Sequence, residues 1–403
     1  MKIGFDAKRL FFNTSGLGNY SRAVLGSLIR FFPENEYFLY VEKMPTKDNA
    51  HPEALNFLDI SCVKIRLAIL PKSISPIFLC LKAIQKLQPW WRTWGMGAMA
   101  GKDAVDVFHG LSNEIPLDLP PEVRSICTIH DVIFKEFPGY YPFVDRIIYH
   151  WKTQKALKNS DLIVFASEQT KLAVEKHYSY FLGKNSIVYQ PVHPNFYAIE
   201  YPTSPKEPIL SMVESGADVN ANFTVKPVST DYFVYQSSFT ERKNHLALVE
   251  AFSLIQKQMD WNLILLGIDG PMLPQIEQQI AKLHLEKRIQ IIVNAGHAEL
   301  LTIVLGASGF VYPSISEGFG IPLAEAAVAR LPMAVSRIPI FIEIAQDIPV
   351  YFHPNHIHEI AAAMMQITLL DEQVRQRQKV STILDKIDSK TIANSLMQAY
   401  LNS

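Results

Sequence analysis

The sequence is poor in cysteine, with Cys62, Cys80 and Cys127 as its three. Their number is odd, their spacing unpaired and their neighbours apolar, which argues against a disulfide framework or thiolate metal site and for buried free thiols in a reducing compartment. Long apolar runs are missing too. None approaches the ~20 residues needed to cross a bilayer, and no early segment joins a basic start, an apolar centre and a small-residue cleavage site, so a cytoplasmic protein is expected. Net charge is almost absent, at −1, which argues against nucleic-acid binding. The total hides an asymmetry: residues 1–195 carry 23 Lys and Arg against 18 Asp and Glu, and the remainder 15 against 21. Acids are also missing locally. Residues 60–102 hold seven basic side chains (Lys64, Arg66, Lys72, Lys82, Lys86, Arg92, Lys102) and no acid, with Trp90, Trp91 and Trp94 among them. Two readings stand, a solvated face over buried tryptophans, or a peripheral contact with an anionic membrane on its inner face.

What the chain has is length and alternation. At 403 residues and 48% hydrophobic composition it exceeds the size at which one core usually splits, so two domains are expected. Short apolar strands alternate with helical periodicity in both halves. Lys2-Ile3-Gly4-Phe5-Asp6, Phe38 to Val41, Val63 to Leu67, Val105 to Gly110, Ser125 to Asp131 and Asp161 to Ser167 mark the first. Tyr232 to Tyr235, Asn262 to Gly267, Ile289 to Val293, Gly309 to Pro313, Met333 to Val335 and Val350 to Phe352 mark the second. This predicts an α/β fold of two doubly wound, Rossmann-like domains facing across a cleft. The boundaries drawn are 1–200 for the first domain, 201–230 for a polar linker or insertion, 231–385 for the second and 386–403 for a C-terminal helix packing back on the first.

The chemistry gathers in Ser316-Glu317-Gly318-Phe319-Gly320-Ile321-Pro322-Leu323-Ala324-Glu325. If Pro322 opens a helix, Glu317 lies in the loop before it and Glu325 one turn inside. Gly318 and Gly320 let a ligand approach the backbone, and the helix start favours a negative group, so a phosphorylated ligand fits. Alone, the two glutamates read equally well as a loop residue and a helix decoration. Arg242 and Lys243, at a strand-to-helix junction, suit phosphate binding or form an exposed basic pair. Gly16 and Gly18 end a loop before a helix expected from about Ser21 to Phe32, holding a phosphate or sugar or simply making a tight turn. The dinucleotide GxGxxG pattern is broken there by Ser21. His109 and His130 close strands, where functional groups gather in parallel sheets, though a structural role suits either.

Together these residues resemble the retaining glycosyltransferases of family four, which have the GT-B fold. The resemblance spans nearly the whole chain except residues 201–230, and rests on Gly16-Leu17-Gly18-Asn19-Tyr20, His130-Asp131, the Ser167 segment, Glu241-Arg242-Lys243-Asn244 and the Glu-x7-Glu pair Glu317 and Glu325. It implies a nucleotide-sugar donor held mainly by the second domain, with Glu325 on the ribose hydroxyls, Glu317 near the donor sugar and Gly318, Phe319 and Gly320 beside sugar or diphosphate. Lys243 neutralises the diphosphate in this scheme, with Gly16, Gly18 and Arg242 assisting, and His130 sits near the sugar or leaving oxygen. The family's usual arginine, five positions before Lys243, is Ser238 here; resemblance to the family's Arg-Lys-Asn variant implies Arg242 as the replacement charge. Leu331 stands where the family commonly has glycine. No cofactor or metal is implied, and no Asp-x-Asp run is present. The Arg-Lys-Asn variant implies mannose from GDP-mannose, passed to a lipid-linked or polysaccharide acceptor in cell-surface glycan biosynthesis. A non-catalytic sugar-nucleotide or glycan-binding subunit is the alternative.

Overall fold

The computed structural model describes residues 1–68, 88–179, 181, 183–193, 196, 231–369 and 385–402. The helix expected over Ser75 to Leu87, the polar stretch 201–230, and Lys72, Cys80, Lys82 and Lys86 lie outside the described residues. The chain forms two units, Met1–Pro191 with Ile387–Ser403, and Val192–Lys386.

Among the described residues the first unit is built on seven parallel strands: β1 (Lys2–Asp6), β2 (Glu36–Val41), β3 (Val63–Leu67), β4 (Val107–Gly110), β5 (Arg124–Ile129), β6 (Leu162–Phe165) and β7 (Asn185–Ile187). Their spatial order is β3-β2-β1-β4-β5-β6-β7, so the winding reverses between β1 and β4. The sheet is apolar on both faces, as a parallel sheet covered by helices must be. Ile126, Leu162 and Val164 join one core with Phe5, Leu28 and Leu396, while Cys127, Ile163 and Phe165 enter another with Ala156 and Val174. The C-terminal helix Ser389–Asn402 buries Ile392, Leu396 and Tyr400 in that first core, beside Val24 and Leu28 of the helix Gly16–Phe31.

That helix starts at Gly16, not near Ser21 as the glycines suggested. The Asn13 side chain explains the early start. Its Oδ1 accepts from the Ser15 amide at 2.8 Å, the Ser15 hydroxyl at 2.6 Å and the Gly18 amide at 3.3 Å, giving the first turn its partners. A Cβ on Gly18 would fall 2.0 Å from the Asn13 carbonyl oxygen, so Gly18 serves close approach rather than positive φ.

Three described basic residues of the acid-free run 60–102 meet acids in space. Lys64 pairs with Glu36 at 2.6 Å, Arg66 with Asp103 at 2.9 Å, and Arg92 bridges Asp6 and Glu114. Trp91 is buried with Phe38, Tyr40 and Phe108, while Trp94 is exposed. Neither Arg92 nor Trp91 is therefore placed to meet a membrane. Of the cysteines, Cys127 is buried and Cys62 partly so, both as free thiols. Among the described residues no helix is long and apolar enough to cross a membrane.

Among the described residues the second unit carries six parallel strands: β8 (Tyr232–Gln236), β9 (Asn262–Gly267), β10 (Ile289–Val293), β11 (Gly309–Tyr312), β12 (Met333–Ser336) and β13 (Val350–Phe352). Their order is β10-β9-β8-β11-β12-β13, reversing between β8 and β11. Ligands of doubly wound sheets bind outside the carboxyl ends of the strands at such a reversal. The segments leaving β8 and β11 carry Arg242, Lys243, Glu317 and Glu325.

Candidate active site

Beyond β8 the chain makes a single 3-10 turn, Glu241–Lys243, and enters the helix His245–Ile255 through Asn244, whose φ of 60° is left-handed. Asparagine tolerates this conformation, and here it also anchors the turn. Its Nδ2 donates to the carbonyls of Pro313 at 3.1 Å and Pro354 at 2.7 Å, and the Tyr235 hydroxyl donates to the Lys243 carbonyl at 2.6 Å. The Ile315 amide donates to the Arg242 carbonyl at 3.0 Å. The basic turn is thus tied by main chain and side chain to the segment leaving β11.

These ties bring Arg242 and Lys243 onto Glu317. Lys243 Nζ stands 2.5 Å from one carboxylate oxygen and Arg242 Nη1 2.9 Å from the other; the Tyr312 hydroxyl donates to the first at 3.0 Å, and Arg242 also donates to the Ser316 carbonyl. The Glu317 side chain is 7% exposed and that of Lys243 11%. Burial alone would push the Glu317 carboxyl up, but the two cations outweigh it and hold it down at about 2. Glu317 is an anion at neutral pH, and two cations against one carboxylate leave the cluster with a net positive charge.

Glu325 is in the opposite condition. It lies inside the helix Ile321–Val328, buried, and Gln236 Nε2 at the end of β8 donates to its Oε2 at 3.1 Å. Burial pushes its carboxyl up to about 7, with the Gln236 hydrogen bond offsetting only part of this. The Oε1 of Gln236 is itself buried without a hydrogen-bond partner. Two glutamates eight apart thus sit in contrasting fields, one a fixed anion and one poised to titrate.

Between them Gly320 caps the helix with φ +95°, and a Cβ there would lie 2.8 Å from the Phe341 ring, so only glycine fits. Ile321 takes the first helical position and Pro322 the second, one residue later than the sequence suggested. Gly318 and Phe319 form the loop leading to this cap, with Phe319 buried.

The remaining sequence-derived residues belong to the first unit. His130 follows β5 and is buried, with Nε2 2.7 Å from the Leu111 carbonyl and Nδ1 2.9 Å from Gln190 Nε2. These partners require a neutral ring, with the proton on Nε2 facing the carbonyl and Nδ1 accepting from the amide. Burial pushes its pKa down to about 4. Such a ring is held as a neutral, hydrogen-bonded group and not set up to exchange protons near pH 7. His109 is likewise buried, between Thr128 Oγ1 at 2.8 Å and the Tyr400 hydroxyl at 2.7 Å. Ser167 caps the helix Glu168–His177, accepting from the Thr170 amide at 3.0 Å. Gly16 and Gly18 lie in the first turn of their helix.

Sequence reasoning missed Gln236 and Tyr312, which complete the two carboxylate environments. A polar residue closing the buried strand Tyr232–Gln236 is the one signal that could have raised Gln236; Tyr312 reads as core until its hydroxyl is placed. It also missed that Asp6, Arg92, Glu114 and Lys152 form one ion network at the β1/β4 reversal.

The model of the glycosyl transferases group 1 family matches residues 218–382. O-antigen chain mannosyltransferase B of Escherichia coli is 24% identical over 388 residues, 93% of this chain and 92% of its own length. Among solved structures, sucrose-phosphate synthase of Thermosynechococcus elongatus aligns with a TM-score of 0.72 at 16% identity, covering 100% of this chain and 98% of its own. HepE of Anabaena, solved in complex with UDP and glucose, gives 0.68 at 13% identity and covers 100% of both chains.

Proposed function

We propose that the chain is a group 1 glycosyltransferase of the GT-B fold that transfers mannose with retention from GDP-mannose to a glycan or lipid-linked acceptor in cell-surface polysaccharide assembly. The observation that carries this reading is the cluster at the β8/β11 reversal, where Arg242 and Lys243 pair with Glu317, and the buried Glu325 follows in the helix Ile321–Val328.

The chemistry follows from the charges. Departure of a nucleoside diphosphate places negative charge on the leaving phosphate, and cations already fixed near it need no reorganisation as the bond breaks. Glu317 holds Lys243 and Arg242 in place, and the net positive charge they retain attracts the diphosphate. Glu325 and Gln236 take the ribose: a desolvated carboxyl gains stabilisation as an anion from donating hydroxyls, and the Gln236 Oε1 accepts one in turn. Gly318 and Gly320 let the sugar approach the backbone. Attack from the leaving-group face gives retention without an enzymic nucleophile. With both nitrogens engaged, His130 is assigned contact and orientation, not proton transfer. The E. coli relative is named for mannose transfer to an O-antigen chain, which supports the sugar and the acceptor class.

The test is a thermal-shift series with GDP-mannose, UDP-glucose, UDP-N-acetylglucosamine and the free diphosphates, because a ligand bound to the native state raises its stability by mass action. A shift selective for the guanosine ligands and lost in Glu325→Ala supports the reading. A selective shift with UDP-glucose instead refutes the donor assignment.

A further inference from the structure

We propose that the outward face of the helix Phe143–Asn159 docks this protein on an anionic bilayer surface. The helix buries Thr153, Ala156 and Leu157 inward. On the opposite side, Phe143, Val144, Ile147, Ile148 and Trp151 are all exposed, Phe143 to 67% and Ile147 to 53%. These positions recur at three and four residues and form one stripe over the first three turns. Single exposed apolar residues are ordinary, but a contiguous patch on a helix marks an interaction surface.

The charge around the stripe selects the partner. The helix carries Arg146, Lys152, Lys155 and Lys158 against the single acid Asp145. The 3.6-residue period puts Lys155 and Lys158 on the same outward face as the apolar stripe, one and two turns beyond Trp151. Arg146 lies over the Phe143 ring at 5.3 Å. Apolar and aromatic side chains followed by lysines on one exposed face complement acyl chains and anionic headgroups. Lys152 is spoken for, 2.6 Å from Glu114. The stripe runs into a depression bounded by Trp151, Lys155, Arg92 and Glu114, at the β1/β4 reversal where ligands of such sheets bind. A lipid-borne headgroup entering that depression would keep its tail along the stripe. In residues 60–102, Lys64, Arg66 and Arg92 are paired with acids, and the membrane face proposed here is that of residues 143–158.

The experiment is cosedimentation of the full chain with vesicles of phosphatidylcholine, with and without phosphatidylglycerol, at low and high salt. The wild type sediments with the anionic vesicles, less so in high salt, and its tryptophan emission shifts to the blue unless Trp151→Phe removes the reporter. Phe143→Ser with Ile147→Ser lowers binding about tenfold or more, and Lys155→Glu with Lys158→Glu abolishes the preference for anionic lipid. Sedimentation of the double serine variant like the wild type overturns the proposal, as does a wild type that binds neither vesicle. A double serine variant that loses self-association in sedimentation velocity, with vesicle binding unchanged, assigns the stripe to a second copy of the chain. Both variants keep the circular dichroism spectrum and melting temperature of the wild type, which verifies folding and keeps this result separate from the donor assignment.

Discussion

Replacing Lys243 with methionine tests whether the Glu317 cluster is electrostatic in origin. The substitution preserves most of the apolar stem and removes the ammonium 2.5 Å from a carboxylate only 7% exposed. In the folded protein Glu317 titrates at about 2, against 4.5 for an unperturbed glutamate. At 1.36 kcal/mol per unit, the whole environment of Glu317 contributes about 3 kcal/mol at neutral pH, and breaking a buried pair costs about 3 to 5 kcal/mol. With Arg242 still present, a loss of about 2 to 3 kcal/mol is expected for Lys243→Met. The folded pKa is depressed, so this contribution is complete above the unfolded value and disappears as pH falls from 4.5 through about 2. The assay is chemical denaturation of wild type and variant across that range. The difference in stability is constant from pH 7 to 5 and shrinks below. A difference that stays the same at the acid end would mean that packing, not charge, is lost, and would refute the reasoning.

Glu325 gives the reverse sign: its folded pKa is raised to about 7, so ionising it costs stability progressively from pH 4.5 upward, and Glu325→Gln should stabilise the protein by about 2 to 3 kcal/mol at pH 8 but little at pH 4, measured by denaturation. Donor affinity of the wild type should fall up to about tenfold per unit below pH 7, because the hydroxyls favour the anion, while the Gln variant binds weakly with a flat profile in titration calorimetry. Gly320→Ala should cost about 1 to 3 kcal/mol, since an L side chain must adopt φ +95° against the Phe341 ring, and should weaken donor binding as the helix start shifts. Tyr400→Phe leaves His109 Nδ1 unpartnered and should lower the stability of the first unit by about 1 to 2 kcal/mol, read from its denaturation midpoint.

Both sheets were legible because parallel strands buried on two faces are short apolar runs, and alternation with helical periods leaves little choice of topology. Glu317, Glu325, Arg242 and Lys243 stood out by their spacing around Gly318 and Gly320 and after a strand, which resembles a family pattern; alone, the two glutamates were ambiguous. Their pairing was not legible: nothing local says that Lys243 reaches across to Glu317 from the neighbouring strand, since that follows from the order β8-β11. The glycine loop was misread for a similar reason. Gly16 and Gly18 look like breakers, but the Asn13 side chain caps the turn and lets the helix start on them. The pairing of Lys64 and Arg92 was not legible either, because their acids, Glu36, Asp6 and Glu114, are distant in sequence and adjacent in space.

The central claim is that the cations fixed by Glu317 promote departure of a nucleoside diphosphate. Its most direct measurement is release of GDP from GDP-mannose by the purified chain with a lipid-linked glycan acceptor, for wild type and Lys243→Ala, the latter first shown to be folded. The account predicts turnover by the wild type, loss of about 10²- to 10³-fold in kcat in the variant, and a mannoside of retained configuration. Tight nucleotide-sugar binding without turnover on any acceptor, or equal turnover in the variant, would contradict it.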